Sequence, residues 1–148
     1  MEAIVPLIST SKTGPSGIMH LPRLWMKILL ASKGRLAEGY RHGIGGFDER
    51  LLENFGVDRD AFIAYVESEQ PDYLAAERWF TQHATAFSPQ TVAASNAGFL
   101  EASFSDPARS KMFRERVGLD DDACTHVIPL NDLDDWFGFH ESLVGARG

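Results

Sequence analysis

The strongest constraint on this chain is its punctuation. Six times between Pro22 and Pro107, a residue type that opens helices stands before a run with apolar residues at helical spacing. The openers are Pro22, Asp48, Asp58, Pro71, Ser88-Pro89 and Asp106-Pro107. Proline has no N–H, which a first helical turn does not need, and an Asp or Ser side chain can accept a hydrogen bond from an otherwise orphaned first-turn amide. Gly34, Gly56 and Gly118 follow three of the runs and suit the left-handed residue that ends many helices. Leu21, Leu24, Trp25, Ile28 and Leu29 make one apolar face of the first predicted helix. Asp48 caps a second with Leu51, Leu52 and Phe55, and Asp58 caps a third with Phe62, Ile63 and Val66. Pro71 starts a fourth, through Leu74, Trp79 and Phe80 to about His83. Residues 91–102 and 108–117 complete the series. Thr125 to Leu130 reads as a short extended piece and Asn131 to Trp136 as one more helical turn. Little chain is left for strands. The expectation is an all-α, compact single domain of about six short-to-medium helices, with a short extended segment near the C-terminus. Residues 1–16 form an N-terminal tail or strap, 17–142 the helical domain and 143–148 a C-terminal tail.

Length and composition agree with one globular unit. The 148 residues can enclose their own core, and 44% hydrophobic content is well above that of a disordered chain. A net charge of −7 argues against a nucleic-acid partner, whose phosphates would have to be neutralised by Lys and Arg. The charge is unevenly spread. Residues 12–50 hold seven bases (Lys12, Arg23, Lys27, Lys33, Arg35, Arg41, Arg50) against three acids, a local +4, whereas residues 51–148 hold seven bases against seventeen acids, −10. Such asymmetry means either ion pairing between the two parts or an anion-attracting face in the first. Cys124 is the only cysteine, so no intramolecular disulfide and no CxxC motif exist. The acidic start and the short run from Ala3 to Ile8, broken by Pro6, do not make a secretory signal, and no apolar stretch approaches the ~20 residues that span a bilayer. The expected location is cytoplasmic, with no membrane partner.

Residues 39–48 form the candidate site. Tyr40, Arg41, His42, Gly43, Gly45, Gly46 and Asp48 crowd one connection between helices. Glycines let the backbone approach a ligand, and their amides, with the start of the next helix, suit a phosphate or carboxylate. Arg41 and Arg23 would add positive charge. The loop is neither a Walker loop nor a dinucleotide fingerprint, because no Gly-Lys-Ser/Thr and no βαβ context follow. Its plainer reading is a tight connection with Asp48 acting as a cap. The ligand-binding candidates are Arg23, Tyr40, Arg41, His42, Gly45, Gly46 and Asp48. His42 and Asp48 could pair as acid and base, but nothing in the sequence assigns a catalytic residue.

No metal or cofactor is expected. His20, His42, His83, His126 and His140 show no metal-binding helix spacing. Cys124 and His126 beside Asp120, Asp121 and Asp122 read more simply as a solvated turn, and those acids oppose a reactive thiolate. The aromatics are core by default. Trp136, Phe137 and Phe139 are the set to watch, since three rings in four residues cannot share one stripe; they close over the core, line a pocket mouth or meet a second subunit.

Several runs carry a resemblance. Leu21-Pro22-Arg23-Leu24, then Lys27, Gly39-Tyr40, Asp48, the stretch from Leu51 to Asp58, Ala61-Phe62, Trp79, Asn96 and Leu130 to Trp136 together resemble the bacterial family called domain of unknown function 5069. The resemblance covers roughly residues 17–140 and is most specific in its first third. Similar proteins often have a cysteine-proline step before the aspartate matching Asp48; this chain has Gly46-Phe47, so any role for that thiol is absent. The resemblance implies a mainly helical cytoplasmic domain and carries over no activity. Two functions remain open: a non-catalytic interaction or ligand-sensing module, self-associating as a homo-oligomer through exposed aromatics, or a binding protein or enzyme for a small anionic metabolite.

Overall fold

The computed structural model describes residues 2–120 and 122–145. They form seven helices: α1 (Leu21–Ser32), α2 (Gly46–Phe55), α3 (Arg59–Glu69), α4 (Tyr73–His83), α5 (Pro89–Glu101), α6 (Pro107–Val117) and α7 (Val127–Val144). The protein is all-α; extended pairing among the described residues is confined to the isolated bridges Ile4–Leu36 and Ser103–His126.

Most of the caps follow the punctuation. Asp58, Ser88 and Asp106 accept hydrogen bonds from the amides of Ala61, Thr91 and Ala108. α4 differs by two residues: Asp72 is its cap, accepting from the amide of Ala75. Pro71 stays outside the helix, where its carbonyl accepts the Trp25 indole N–H at 2.9 Å. The C-terminal reading changes more. The extended piece is limited to the bridge at His126, where Phe104 donates to the Thr125 carbonyl and Val127 to that of Ala102. α7 begins immediately after and runs 18 residues. Pro129 lies in its first turn, where a missing N–H does no harm, so the expected extended stretch and helical turn belong largely to one helix.

The core forms where the apolar faces meet. α1 packs on α3 and α4, α2 on α5, and α7 on α5 and α6. Leu21, Leu24, Ile28, Leu51, Phe55, Phe62, Val66, Phe80 and Phe99 are fully buried. Phe80 meets Phe55 and Phe62 edge-on, each at 5.6 Å between ring centres, a favoured aromatic geometry. Ahead of α1, the N-terminal segment is tied down: Ile4 exchanges backbone hydrogen bonds with Arg35 and Ala37, and Val5 and Pro6 are buried.

The C-terminal aromatics do not close over this core. Trp136 and Phe139 are 56% and 42% exposed, and Phe137 lies under the Arg116 guanidinium. Internal pairing accounts for little of the charge asymmetry. Among the seven bases of residues 12–50, Arg23 is the one with an ion pair to an acid beyond residue 50 among the described residues. No helix is long and apolar enough to cross a membrane among those residues.

Candidate functional site

The site is built around the start of α1. Asn96 on α5 fixes the approach, accepting from the Met19 amide at 3.0 Å and donating to the Gly17 carbonyl at 2.7 Å. His20 then caps α1 with a left-handed backbone, φ 76°, a conformation costly for any residue with a Cβ and held only when its surroundings over-determine it. They do so here: its amide donates to the Thr10 carbonyl, its carbonyl accepts from Leu24, and its ring is buried against Phe47 and Phe99.

That backbone aims the imidazole inward. Nδ1 lies 2.9 Å from the Thr10 hydroxyl and Nε2 lies 2.6 Å from Asp48 Oδ1. The other oxygen of Asp48 accepts from Lys27 Nζ at 2.7 Å and from the Gly43 amide at 2.8 Å. A carboxylate cannot donate, so the neutral imidazole consistent with this set donates from Nε2 and accepts the Thr10 hydroxyl proton at Nδ1. Burial lowers the His20 pKa and outweighs the pull of Asp48. Burial alone would raise the Asp48 carboxyl, but the His20 hydrogen bond and the Lys27 charge hold it well below the usual carboxylate range. Burial likewise lowers Lys27, with Asp48 opposing.

A second buried pair lies beside the first. Arg23, in the first turn of α1, makes a two-pronged contact with Asp135 of α7, at 2.6 Å from Nη1 and 3.2 Å from Nη2. Its Nη1 also donates to the carbonyls of Pro6 and Ile8, stitching the N-terminal segment to both helices. The Tyr40 hydroxyl donates to Asp135 Oδ1 at 2.7 Å, and burial with that carboxylate pushes its pKa up, so it stays a donor.

These groups form part of the wall of a cavity of about 550 Å³. Its other walls come from the start of α2, from residues 103–109 leading into α6, and from α7. Arg41, Arg50 and Arg109 line it and are exposed, and none has a carboxylate partner among the described residues. Arg50 lies over the Phe47 ring and Arg109 over the Phe104 ring. Within the cavity wall, Lys27 offsets Asp48 and Arg23 offsets Asp135, while Asp134 lies 2.8 Å from Arg116 Nε and Asp106 caps α6. Among the described lining residues five cations stand against four carboxylates, so the wall keeps a positive balance, and Arg41, Arg50 and Arg109 are the cations in it without a carboxylate partner there. Among the described residues no side chain caps α2, which leaves its first amides without a side-chain acceptor there, and a Cβ on Gly45 would sit 3.3 Å from Arg41 Nη1. A second cavity of about 430 Å³ shares Gly39, Tyr40 and Asp134 with the first.

Six of the seven candidate residues, Arg23, Tyr40, Arg41, Gly45, Gly46 and Asp48, line the larger cavity; His42 does not. Asp48 is neither a cap nor a partner of His42. α2 begins three residues earlier than an Asp48 cap would place it, at Gly46, and turns the Asp48 carboxylate onto His20 and Lys27. Sequence reasoning passed over Thr10, His20, Lys27, Asp135, Arg50 and Arg109. One signal was present: Arg23 and Lys27 are four apart, next to the Leu24–Ile28 stripe, which puts two charges at the edge of a buried face. Among the described residues no three His, Cys, Asp or Glu side chains group to hold a metal. Asp121, in the acidic turn near Cys124, lies outside those residues.

Residues 9–136 match the family described as a domain of unknown function (DUF5069). The chain belongs to that family. No curated protein matches it. The matched span contains all the groups of the buried network, from Thr10 to Asp135.

Two outcomes follow from the network. Asp48→Asn leaves Lys27 buried without its counter-charge and is expected to cost about 3–5 kcal/mol in chemical denaturation at neutral pH. A loss under about 1 kcal/mol, the scale of an exposed pair, would show that the carboxylate does not join the helices. Below its ordinary value of 6.5, His20 in the unfolded chain binds a proton that the folded protein excludes. Stability therefore falls with acidification below that pH. His20→Asn, which tolerates the left-handed backbone and does not titrate, is expected to flatten the fall. Denaturation midpoints at about pH 7.5 and about pH 5.5 measure the difference, and parallel falls in both proteins would assign the acid sensitivity to other groups.

Proposed function

We propose that this member of the family binds a small anionic metabolite in the cavity between α1, the start of α2, the 103–109 segment and α7. The observation that carries the reading is the set of three guanidiniums, Arg41, Arg50 and Arg109, lining one concave site without carboxylate partners among the described residues. Guanidinium groups bind carboxylate and phosphate through paired N–H donors, and the uncapped amides of α2 favour the same charge. A volume of about 550 Å³ is within the range of metabolite sites. Phe47, Phe104 and Phe113 supply apolar wall, so the ligand pairs an anionic group with an apolar or planar body. Both imidazole nitrogens of His20 are already bonded, which supports binding rather than proton transfer by that ring. Arg23 and Tyr40 face the cavity but spend their donors on Asp135 and the N-terminal segment. Their contribution is to hold the wall.

A second reading rests on α7. Trp136, Phe139 and Leu143 recur at helical spacing on one stripe and are 56%, 42% and 71% exposed. Such a stripe supports self-association of the chain.

The two readings are tested separately. Inorganic phosphate is expected to raise the thermal midpoint of the wild-type protein. Each of Arg41→Ala, Arg50→Ala and Arg109→Ala, exposed and outside the core, is expected to weaken phosphate binding about tenfold, ~1.4 kcal/mol. Equal shifts in the wild type and the triple variant would overturn the site. For α7, sedimentation velocity is expected to show an oligomer that Trp136→Gln with Leu143→Gln converts to monomer; a monomeric wild type overturns that reading.

A further inference from the structure

The cavity wall contains an amine that anion binding at the guanidiniums leaves unused. The chain has four lysines, Lys12, Lys27, Lys33 and Lys111. Three are exposed, whereas Lys27 is only 8% exposed and borders the cavity. An ammonium has three N–H donors, and Asp48, 2.7 Å away, is the one hydrogen-bond or ion-pair partner of Lys27 among the described residues. Two donors thus remain on a nearly buried nitrogen beside an open volume. Burial lowers the pKa of this group, which enlarges the fraction present as nucleophilic amine. The same cavity carries three guanidiniums, without carboxylate partners among the described residues, that would gather carboxylate or phosphate groups next to it.

We infer that Lys27 condenses with an anionic aldehyde or ketone held in this cavity, forming an imine. The inference rests on the proposed anion site. In the balanced step, the ammonium first gives one proton to cavity water, and the amine nitrogen then bonds to the carbonyl carbon. The carbonyl oxygen takes up protons and leaves as water, and the nitrogen is left as a protonated imine. Overall R–NH₃⁺ and a C=O group become R–NH⁺=C and H₂O, with no redox change. The product keeps one positive charge and one N–H, the features that Asp48 Oδ2 requires at 2.7 Å. Asp48 therefore keeps an N–H donor on this nitrogen throughout, and the ion pair, given up while the amine is neutral, is restored in the protonated imine. His20, the Gly43 amide and Thr10 steady that carboxylate and touch no reacting atom.

The test is reductive trapping on the full chain. Wild-type protein is incubated with glyoxylate, and separately with pyridoxal 5′-phosphate as a longer anionic aldehyde probe, each with borohydride, and the peptides are mapped by mass. Either probe is expected to label Lys27 about tenfold above the exposed lysines, because the cavity raises the local carbonyl concentration, and inorganic phosphate is expected to suppress that label. Labelling confined to Lys12, Lys33 and Lys111, with phosphate still raising the thermal midpoint, overturns the imine and leaves the anion site. Absence of both Lys27 label and phosphate binding overturns the two together. Lys27 label that phosphate does not suppress keeps the imine and overturns the guanidiniums as the anion holders. Lys27→Arg, which preserves the charge on Asp48, is expected to lose the label and retain phosphate binding; if that variant fails to fold, the wild-type peptide map decides.

Discussion

The carboxylate of Asp48 is the joint on which the rest of this architecture hangs. It gathers the cap of α1 through His20, the second turn of α1 through Lys27, and the loop before α2 through the Gly43 amide. Burying a carboxylate is tolerated only when charge and hydrogen bonds replace the lost water, and here the replacement comes from residues 20, 27 and 43 together. That requirement fixes the loop. Gly43 has φ 81°, and a Cβ there would fall 2.6 Å from the end of the Ile63 side chain, so the amide reaches Asp48 by a path that suits glycine alone. The left-handed His20 is the matching strain on the other side, held by Thr10 and Asn96.

One consequence concerns the start of α2. An aspartate capping that helix would hold its own charge over the open amides and repel an anion. Turned inward and offset by Lys27, Asp48 instead leaves those amides uncovered, beside Arg41 and Arg50. The Arg23–Asp135 pair has the same effect at the other end of the cavity, cancelling charge within the wall while fastening α7 and the N-terminal segment to α1. Buried ion pairs of this kind contribute little net stability compared with apolar packing, and their removal one partner at a time is costly. What they supply is position. The apolar contacts of Phe55, Phe62, Phe80 and Phe99 carry the core, and the two pairs set how α1, α2 and α7 meet around a hollow.

The punctuation made most of the helices legible, because capping is local: Asp58, Ser88 and Asp106 bond amides two or three residues away. Asp48 looked the same and behaved differently, since its competing partners are His20 and Lys27, 28 and 21 positions earlier in the chain. The fourth helix was expected to start at Pro71 but starts at Tyr73 behind the Asp72 cap, and the Pro71 carbonyl, outside it, serves Trp25, 46 residues away. The glycine loop stood out as a site candidate through its composition. The half of the cavity built from residues 103–135 could not stand out, because Arg109, Phe104 and Asp135 are unremarkable until α6 and α7 fold back against α1.

By itself the sequence determined the class of the fold, most helix boundaries, the apolar faces and the family, since these depend on periodicity, caps and short runs within a turn or two. The tertiary structure alone decided which charges cancel and which stay free. A carboxylate's partner is chosen by distance in space, and the two pairs that shape this cavity join residues 27 with 48 and 23 with 135. Those choices leave Arg41, Arg50 and Arg109 facing one hollow and place the Lys27 amine beside it, a juxtaposition set by how the helices pack and encoded in no single stretch of the chain.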